Sequence, residues 1–195
     1  MYKVQNKNVR FIVEVAVFAA LGLGVDLLAN FYSGYIWSQG GSISLVLVPI
    51  IFMAYRWGIS AGLLTGLLVG SIQIIWAGSG IVHPVQVLLD YVLAYTVVGF
   101  AGVFARKIKD SNTSKIRLIY TNLGILLFGL ARTILHIISG IVFFLKPASL
   151  DLSDILASLW ASMAYNFGYM IPTIIITMIV LSLIIEKQTQ LLYIE

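Results

Sequence analysis

The chain has 195 residues, of which 60% are hydrophobic and only 10% are charged. Because a soluble domain typically carries charges at about a quarter of its positions, this composition excludes an ordinary water-soluble globular protein. The net charge is +4, but the basic residues lie in connecting segments and form no stripe suited to nucleic acid, and the absence of cysteine excludes disulfides and thiolate chemistry.

Apolar stretches follow one another along nearly the whole chain, and a spanning helix needs about 20 mostly apolar residues. Six such stretches predict an all-α fold, namely a polytopic membrane protein that forms one six-transmembrane-helix bundle over residues 1–195. The first stretch is longer than a usual signal-peptide core, which favours an uncleaved helix. The predicted spans are about 10–31, 43–56, 58–78, 84–105, 116–145 and 153–185.

The positive charges predict the orientation of these spans. With the N-terminus in the cytoplasm, ten basic residues lie inside, and Lys146 alone lies in an outer loop. This is a strong positive-inside bias, and an even number of spans then places the N- and C-termini in the cytoplasm. The ten inner residues are Lys3, Lys7, Arg10, Arg56, Arg106, Lys107, Lys109, Lys115, Arg117 and Lys187.

Small residues recur at every fourth position in two of the spans. Such a face lets another helix approach closely. Packing inside the bundle is the default interpretation, above all for the glycines, and docking of another membrane protein is the alternative that the sequence leaves open. The residues are Gly58, Gly62, Gly66 and Gly70 in the third span, and Ala16, Ala20 and Gly24 in the first.

Polar side chains at membrane depth are rare and costly, so each one is a candidate functional residue. Asp90 in the fourth span lies near the outer end. Arg132 and His136, four residues apart on one face of the fifth span, and Asn166 in the sixth lie toward the same side. These groups are predicted to meet in one pocket open to the outside, whereas Asp26 is interpreted as a residue at the outer boundary.

Aromatic residues cluster at the same level. An acid among aromatic rings suits a flat organic cation, because the rings offer cation–π attraction and the carboxylate offers the counter-charge. The alternatives are a structural Asp90–Arg132 ion pair, a His136 that only links two helices, and an interfacial aromatic belt. The aromatic residues are Trp37, Tyr91, Phe143, Phe144, Trp160, Tyr165 and Tyr169.

Catalytic motifs are missing from the sequence. It contains no P-loop and no G-x-S-x-G elbow, and its two histidines, His83 and His136, lie far apart. The chain is therefore predicted to be a binding protein and not an enzyme, with no catalytic residue, metal or cofactor. A small polytopic membrane enzyme that uses Asp90 and His136 as an acid–base pair is the alternative from another class.

Four segments carry a resemblance to a known family, and the most specific of them enters the fourth span. They are GGSI at 40–43, IVHPVQVLLDY at 81–91, RTILHIISG at 132–140 and YNFGYM at 165–170. On these segments the chain resembles, nearly end to end, the thiamine-specific substrate-binding (S) component of energy-coupling-factor (ECF) transporters. Departures from the family pattern are Ser44, where some relatives carry an acid, and Gly80 and Ala161, where some carry tyrosine.

The resemblance implies high-affinity capture of thiamine at the outer face of a multi-pass protein of the bacterial plasma membrane. The implied partners are thiamine, a transmembrane coupling (T) protein, two ATPase subunits that drive import, and the lipid bilayer, with no nucleic acid. It further implies that residues 31–41 form a lid over the site. An S component for another vitamin and a stand-alone facilitator are the alternatives.

The family pattern also implies a role for each candidate residue. Asp90 is implied to face the thiazolium ring, and His136 and Asn166 to form hydrogen bonds with the ligand. The full substrate-binding set is Asp90, Tyr91, His136, Asn166, Arg132, Phe144, Trp37, Trp160, Tyr165 and Tyr169, and the partner-docking set is Ala16 and Ala20.

Overall fold

The computed structural model describes residues 6–37, 40–77, 80–147, 149 and 151–194, and these residues form helices and connections without any β-strand. The all-α prediction is therefore confirmed for the described chain. Predictions that involve Lys3, positions 38–39 of the outer loop and position 78 at the end of the third span lie outside the described residues.

Six longer helical segments succeed one another in the described part of the chain, and a short 3-10 helix, Thr189–Leu192, follows the last of them. The four longest are long and apolar enough to cross a membrane, whereas the other two have 11 and 15 residues. The number of crossings and the orientation of the termini stay predictions. The helices are α1 (Lys7–Ser33), α2 (Leu47–Trp57), α3 (Ile59–Gln73), α4 (Pro84–Lys109), α5 (Ser114–Leu145) and α6 (Leu152–Lys187).

Local side-chain chemistry explains where several helices begin. The Asn6 side chain accepts a hydrogen bond from a backbone N–H in the first turn of α1, and the Thr113 side chain does the same for α5. At α4, Nδ1 of His83 accepts from the Val85 backbone N–H, and Pro84 occupies the first turn, where its missing N–H leaves no hydrogen bond unmade. These caps fix the entry points of the helices that carry most of the candidate site.

The glycines of α3 pack inside the protein, as the default interpretation predicts. A Cβ atom at Gly66 would overlap the backbone carbonyl of Tyr95, and one at Gly70 would overlap the carbonyl of Tyr91. The backbones of α3 and α4 are therefore in direct contact over successive turns. Gly58 has a different role, because its φ of 95° makes the turn between α2 and α3.

Irregular turns interrupt the helices beside the predicted site. Residues Leu88–Leu93 of α4 and Gly140–Leu145 of α5 have π-helical geometry, and residues Val97–Phe104 of α4 form a 3-10 helix. Short π-helical turns occur frequently at functional sites because they change the direction in which side chains project. Asp90 lies in the first of these turns and Phe144 lies in the second.

A buried arginine ties three parts of the chain together near the start of α1. The Nε atom of Arg56 donates to the carboxylate of Glu14 at 2.6 Å, and Trp57 Nε1 donates to the same carboxylate at 2.7 Å. The Nη1 atom of Arg56 also donates to the backbone carbonyls of Leu191 and Tyr193. This network joins α1, α2 and the C-terminal segment at the opposite end of α1 from Asp26.

Candidate ligand-binding site

A cavity of about 890 Å³ lies among α1, α3, α4, α5, α6 and the segment that connects α1 to α2. This volume is in the range of small-molecule sites. Eight of the ten substrate-binding candidates line it, namely Asp90, Tyr91, Arg132, His136, Phe144, Tyr165, Asn166 and Tyr169.

Asp90 is held by three side chains at the wall of the cavity. Its carboxylate accepts hydrogen bonds from Ser139 Oγ at 2.6 Å and from Gln86 Nε2 at 2.8 Å, and its Oδ1 atom lies 3.0 Å from His136 Nδ1. Gln86 and Ser139 are themselves buried. The carboxylate is thus preorganised as an acceptor, with 15% of the side chain still exposed.

His136 connects the carboxylate of Asp90 to the guanidinium of Arg132. Arg132 Nε donates to His136 Nε2 at 3.1 Å, so that nitrogen carries no proton, and Nδ1 is then the N–H that donates to Asp90. Among the described residues Asp90 and Arg132 form no direct ion pair, so the structural ion-pair alternative is wrong in that form. A neutral imidazole bridges the two charges instead.

Arg132 has unused hydrogen-bonding capacity. Its side chain is buried, and its guanidinium carbon lies 3.9 Å from the centre of the Tyr95 ring, which gives a cation–π contact. The Nη1 atom, although buried, has no hydrogen-bond partner. A buried donor without a partner costs about 1–3 kcal/mol, and this nitrogen is available to donate to an acceptor on a bound molecule.

Asn166 is already engaged with its own helix. Its Nδ2 atom donates to the Ser162 carbonyl at 2.9 Å, and its Oδ1 atom accepts from the Tyr169 hydroxyl at 2.6 Å. Residues 162, 166 and 169 share one face of α6, which points at the cavity. The amide is therefore oriented by neighbours before any ligand arrives.

Tyr169 lies at the centre of a group of aromatic rings. Its ring meets those of Trp37, His136 and Tyr165 edge to face, with ring centres 6.0, 6.1 and 6.3 Å apart. Trp37 contacts the Tyr169 ring but is not among the residues that line the cavity. Trp160 differs from the prediction more strongly, because it is 66% exposed on another face of α6 and does not line the cavity.

The segment from Gly40 to Ser44 closes one side of the cavity and is tied to other helices. The Tyr165 hydroxyl donates to the Gly40 carbonyl at 2.8 Å, and Thr173 Oγ1 donates to the Ser42 carbonyl at 3.2 Å. Thr173 Oγ1 also accepts from the Ser44 backbone N–H at 3.2 Å. Hydrogen bonds from α6 therefore hold this segment over the site.

The sequence of this chain also matches a known protein family. The family model described as "Thiamine transporter protein (Thia_YuaJ)" matches residues 12–193. The chain belongs to this thiamine transporter family. Because the family is one of transporters, the predictions of a transport function and of a non-enzyme are confirmed, and the protein is a membrane protein.

Known members of this thiamine transporter family match nearly the whole chain. "Thiamine transporter ThiT" of Bacillus subtilis (strain 168) is 36% identical over 192 residues, which are 96% of this chain and 96% of that protein. "Thiamine transporter ThiT" of Lacticaseibacillus paracasei is 25% identical over 198 residues, covering 96% and 92%. A solved structure of ThiT from Listeria monocytogenes superposes with a TM-score of 0.77 at 25% identity, covering 97% of this chain and 100% of that one.

The sequence-based prediction missed several residues of the site. Gln86 lies four residues before Asp90, and Ser139 lies three residues after His136, so helical spacing could have found both. Asp26 was interpreted as a residue at the outer boundary and was left out of the predicted pocket, whereas the structure places it in the cavity wall. It is buried and lines the cavity, because the segment from Gly40 covers the end of α1.

Proposed function

We propose that this protein is the thiamine-binding S component of an ECF vitamin uptake transporter in the bacterial cell membrane. It captures thiamine at the outer face, and partner subunits drive import with ATP. The observation that carries the proposal is a preorganised carboxylate, Asp90, in a cavity lined by aromatic rings, in a chain whose relatives are named thiamine transporters.

The charged and aromatic groups divide the recognition of thiamine between them. Asp90 provides the counter-charge for the thiazolium, and the rings of Tyr91, Phe144 and Tyr169 enclose the flat parts of the ligand. The free Nη1 of Arg132 suits an acceptor such as the thiamine hydroxyl oxygen. None of these groups needs to react, and binding and orientation are sufficient for capture.

His136 and Asn166 orient the ligand by hydrogen bonds. In the described structure both are held by protein neighbours, His136 by Arg132 and Asn166 by Tyr169. An aminopyrimidine ring offers both donors and acceptors, so it satisfies the Asn166 amide when it replaces the tyrosine hydroxyl as partner. Discrimination against vitamins without this donor and acceptor pattern follows from the unpaired polar groups they would leave.

Release of thiamine into the cell requires partner subunits. The chain itself has no ATP-binding motif, so a T protein and two ATPases supply the energy. Ala16 and Ala20 are exposed on α1, and their small side chains allow a helix of the T protein to approach closely. Six spans with both termini in the cytoplasm, and a lid formed by residues 31–41, complete the proposed arrangement.

The decisive experiment is equilibrium binding to the purified protein in detergent. Isothermal titration calorimetry is expected to show saturable 1:1 binding of thiamine and no binding of riboflavin or biotin. Tight binding of another vitamin without thiamine binding would overturn the proposed substrate. Labelled-thiamine uptake into liposomes is expected only when the T protein and ATPases are reconstituted with it, and uptake without them would overturn the proposed dependence on partners.

A further inference from the structure

We propose that Asp26 sets the charge selectivity of the cavity, by supplying the negative charge that remains after Arg132 has offset Asp90. The inference rests on the proposed function. It assigns the preference for a cationic ligand to Asp26, a residue outside the implied substrate-binding set. Its basis is the placement of three charged side chains around one cavity.

The ionisable side chains that line the cavity give it a net negative charge. Asp26, Asp90 and Arg132 are its charged lining residues within the described chain, and His136 is neutral because its Nε2 accepts a hydrogen bond. With both carboxyl groups ionised, the two aspartates and Arg132 leave a net charge of −1. Without Asp26 the sum is zero, and the preference for a monocation over a neutral molecule of the same shape then rests on the local field of Asp90 alone.

The hydrogen bonds of Asp26 fit an ionised carboxylate. Its Oδ2 atom accepts from Gln73 Nε2 at 2.6 Å and from Asn30 Nδ2 at 3.2 Å, and its Oδ1 atom faces the Ser42 hydroxyl at 3.4 Å. All three partners are donors, and donors stabilise the charged form of an acid. Asp26 is also only 2% exposed, so water screens its charge poorly.

Within the described chain no basic residue forms an ion pair with Asp26. Arg132, the basic residue that lines the same cavity, is itself bridged through His136 to Asp90. A buried charge without its own counter-ion is costly, and a neutral amide would satisfy most of the same donors at less cost. A cationic ligand is the partner that repays this arrangement.

The test compares two ligands that differ only in charge. Thiamine and a neutral isostere, in which carbon replaces the quaternary nitrogen of its ring, are titrated into wild type and Asp26→Asn by calorimetry. The dissociation constant of the isostere divided by that of thiamine is the ratio that reports charge selectivity alone. Asp26→Asn is expected to reduce the preference for thiamine by about tenfold or more, the scale of an unscreened charge acting over several ångströms.

Matched variants separate charge from structure. Asp26→Glu keeps the charge and is expected to retain the wild-type ratio. Arg132→Gln leaves a net charge of −2 by the same sum and is expected to raise the ratio, which keeps the proposal testable if Asp26→Asn fails to fold.

An unchanged ratio in Asp26→Asn, with both ligands weakened equally or not at all, would overturn the proposal and leave Asp26 a structural residue. An Arg132→Gln ratio that is unchanged or lower than that of wild type would overturn it as well. Failure of wild type to bind thiamine would instead overturn the proposed function, so the two failures are distinguishable.

Discussion

Replacing Asp90 by asparagine tests the centre of the proposed site, because the change removes a charge and preserves the size of the side chain. In the wild-type structure the carboxylate receives three donors, from Ser139, Gln86 and His136, at 2.6, 2.8 and 3.0 Å. The asparagine amide has one acceptor oxygen, and its nitrogen would face at least one of these donors. The variant therefore loses both the counter-charge and part of the hydrogen-bond network.

The size of the effect follows from the burial of the carboxylate, whose side chain is 15% exposed. Removing one partner of a buried, hydrogen-bonded charge pair costs about 2–5 kcal/mol. At 1.4 kcal/mol per factor of ten, this corresponds to a thiamine dissociation constant roughly 30-fold to 4,000-fold higher. The neighbouring donors left without a partner add a loss of stability of about 1–3 kcal/mol.

The assay is calorimetric titration of thiamine, with thermal unfolding of each protein measured without ligand. Asp110→Asn is the matched control, because Asp110 forms an exposed ion pair with Arg106 and does not line the cavity. The control is expected to bind as wild type does. If Asp90→Asn also bound thiamine within about threefold of wild type, which is under 1 kcal/mol, Asp90 would not be the counter-charge of the ligand.

Two further predictions concern packing and the aromatic lining. Gly66→Ala is expected to lower the unfolding temperature clearly, because its new methyl group would overlap the α4 backbone, whereas Gly24→Ala meets no atom within 4 Å and is expected to leave it unchanged. Phe144→Ala is expected to weaken thiamine binding about tenfold through lost ring contact, and Trp160→Ala to leave it unchanged, since Trp160 is exposed outside the cavity. The opposite order of affinities would refute the assignment of the lining.

The helices were predictable from sequence because long apolar runs are a local property of the chain. The start of α2 was harder to predict, because the predicted span begins at 43 and the helix begins at Leu47. Residues before Leu47 are held in an irregular path by Ser33, whose Oγ accepts from the Ile43 backbone, and by Thr173 of α6. Contacts between residues far apart in sequence therefore determine this boundary, and no local pattern reports them.

The polar centre of the candidate site was also predictable, since Asp90, Arg132 and His136 stand out as costly residues at membrane depth. Asp26 was not recognised, because its enclosing partner Gln73 lies 47 residues away. Trp160 is the reverse case. It lies six residues from Asn166, which places it on a different face of the helix, so the periodicity of α6 could have excluded it.

Direct backbone contact between α3 and α4 has a mechanical consequence. No layer of flexible side chains separates the two helices at Gly66 and Gly70, so neither can slide past the other without collision. Gln73 and Asp90, one on each helix, are thereby kept at a constant separation and act as a stationary wall. Movement wide enough to admit or discharge a guest is therefore expected in the other elements that line the cavity, namely α1, α5, α6 and the segment between α1 and α2.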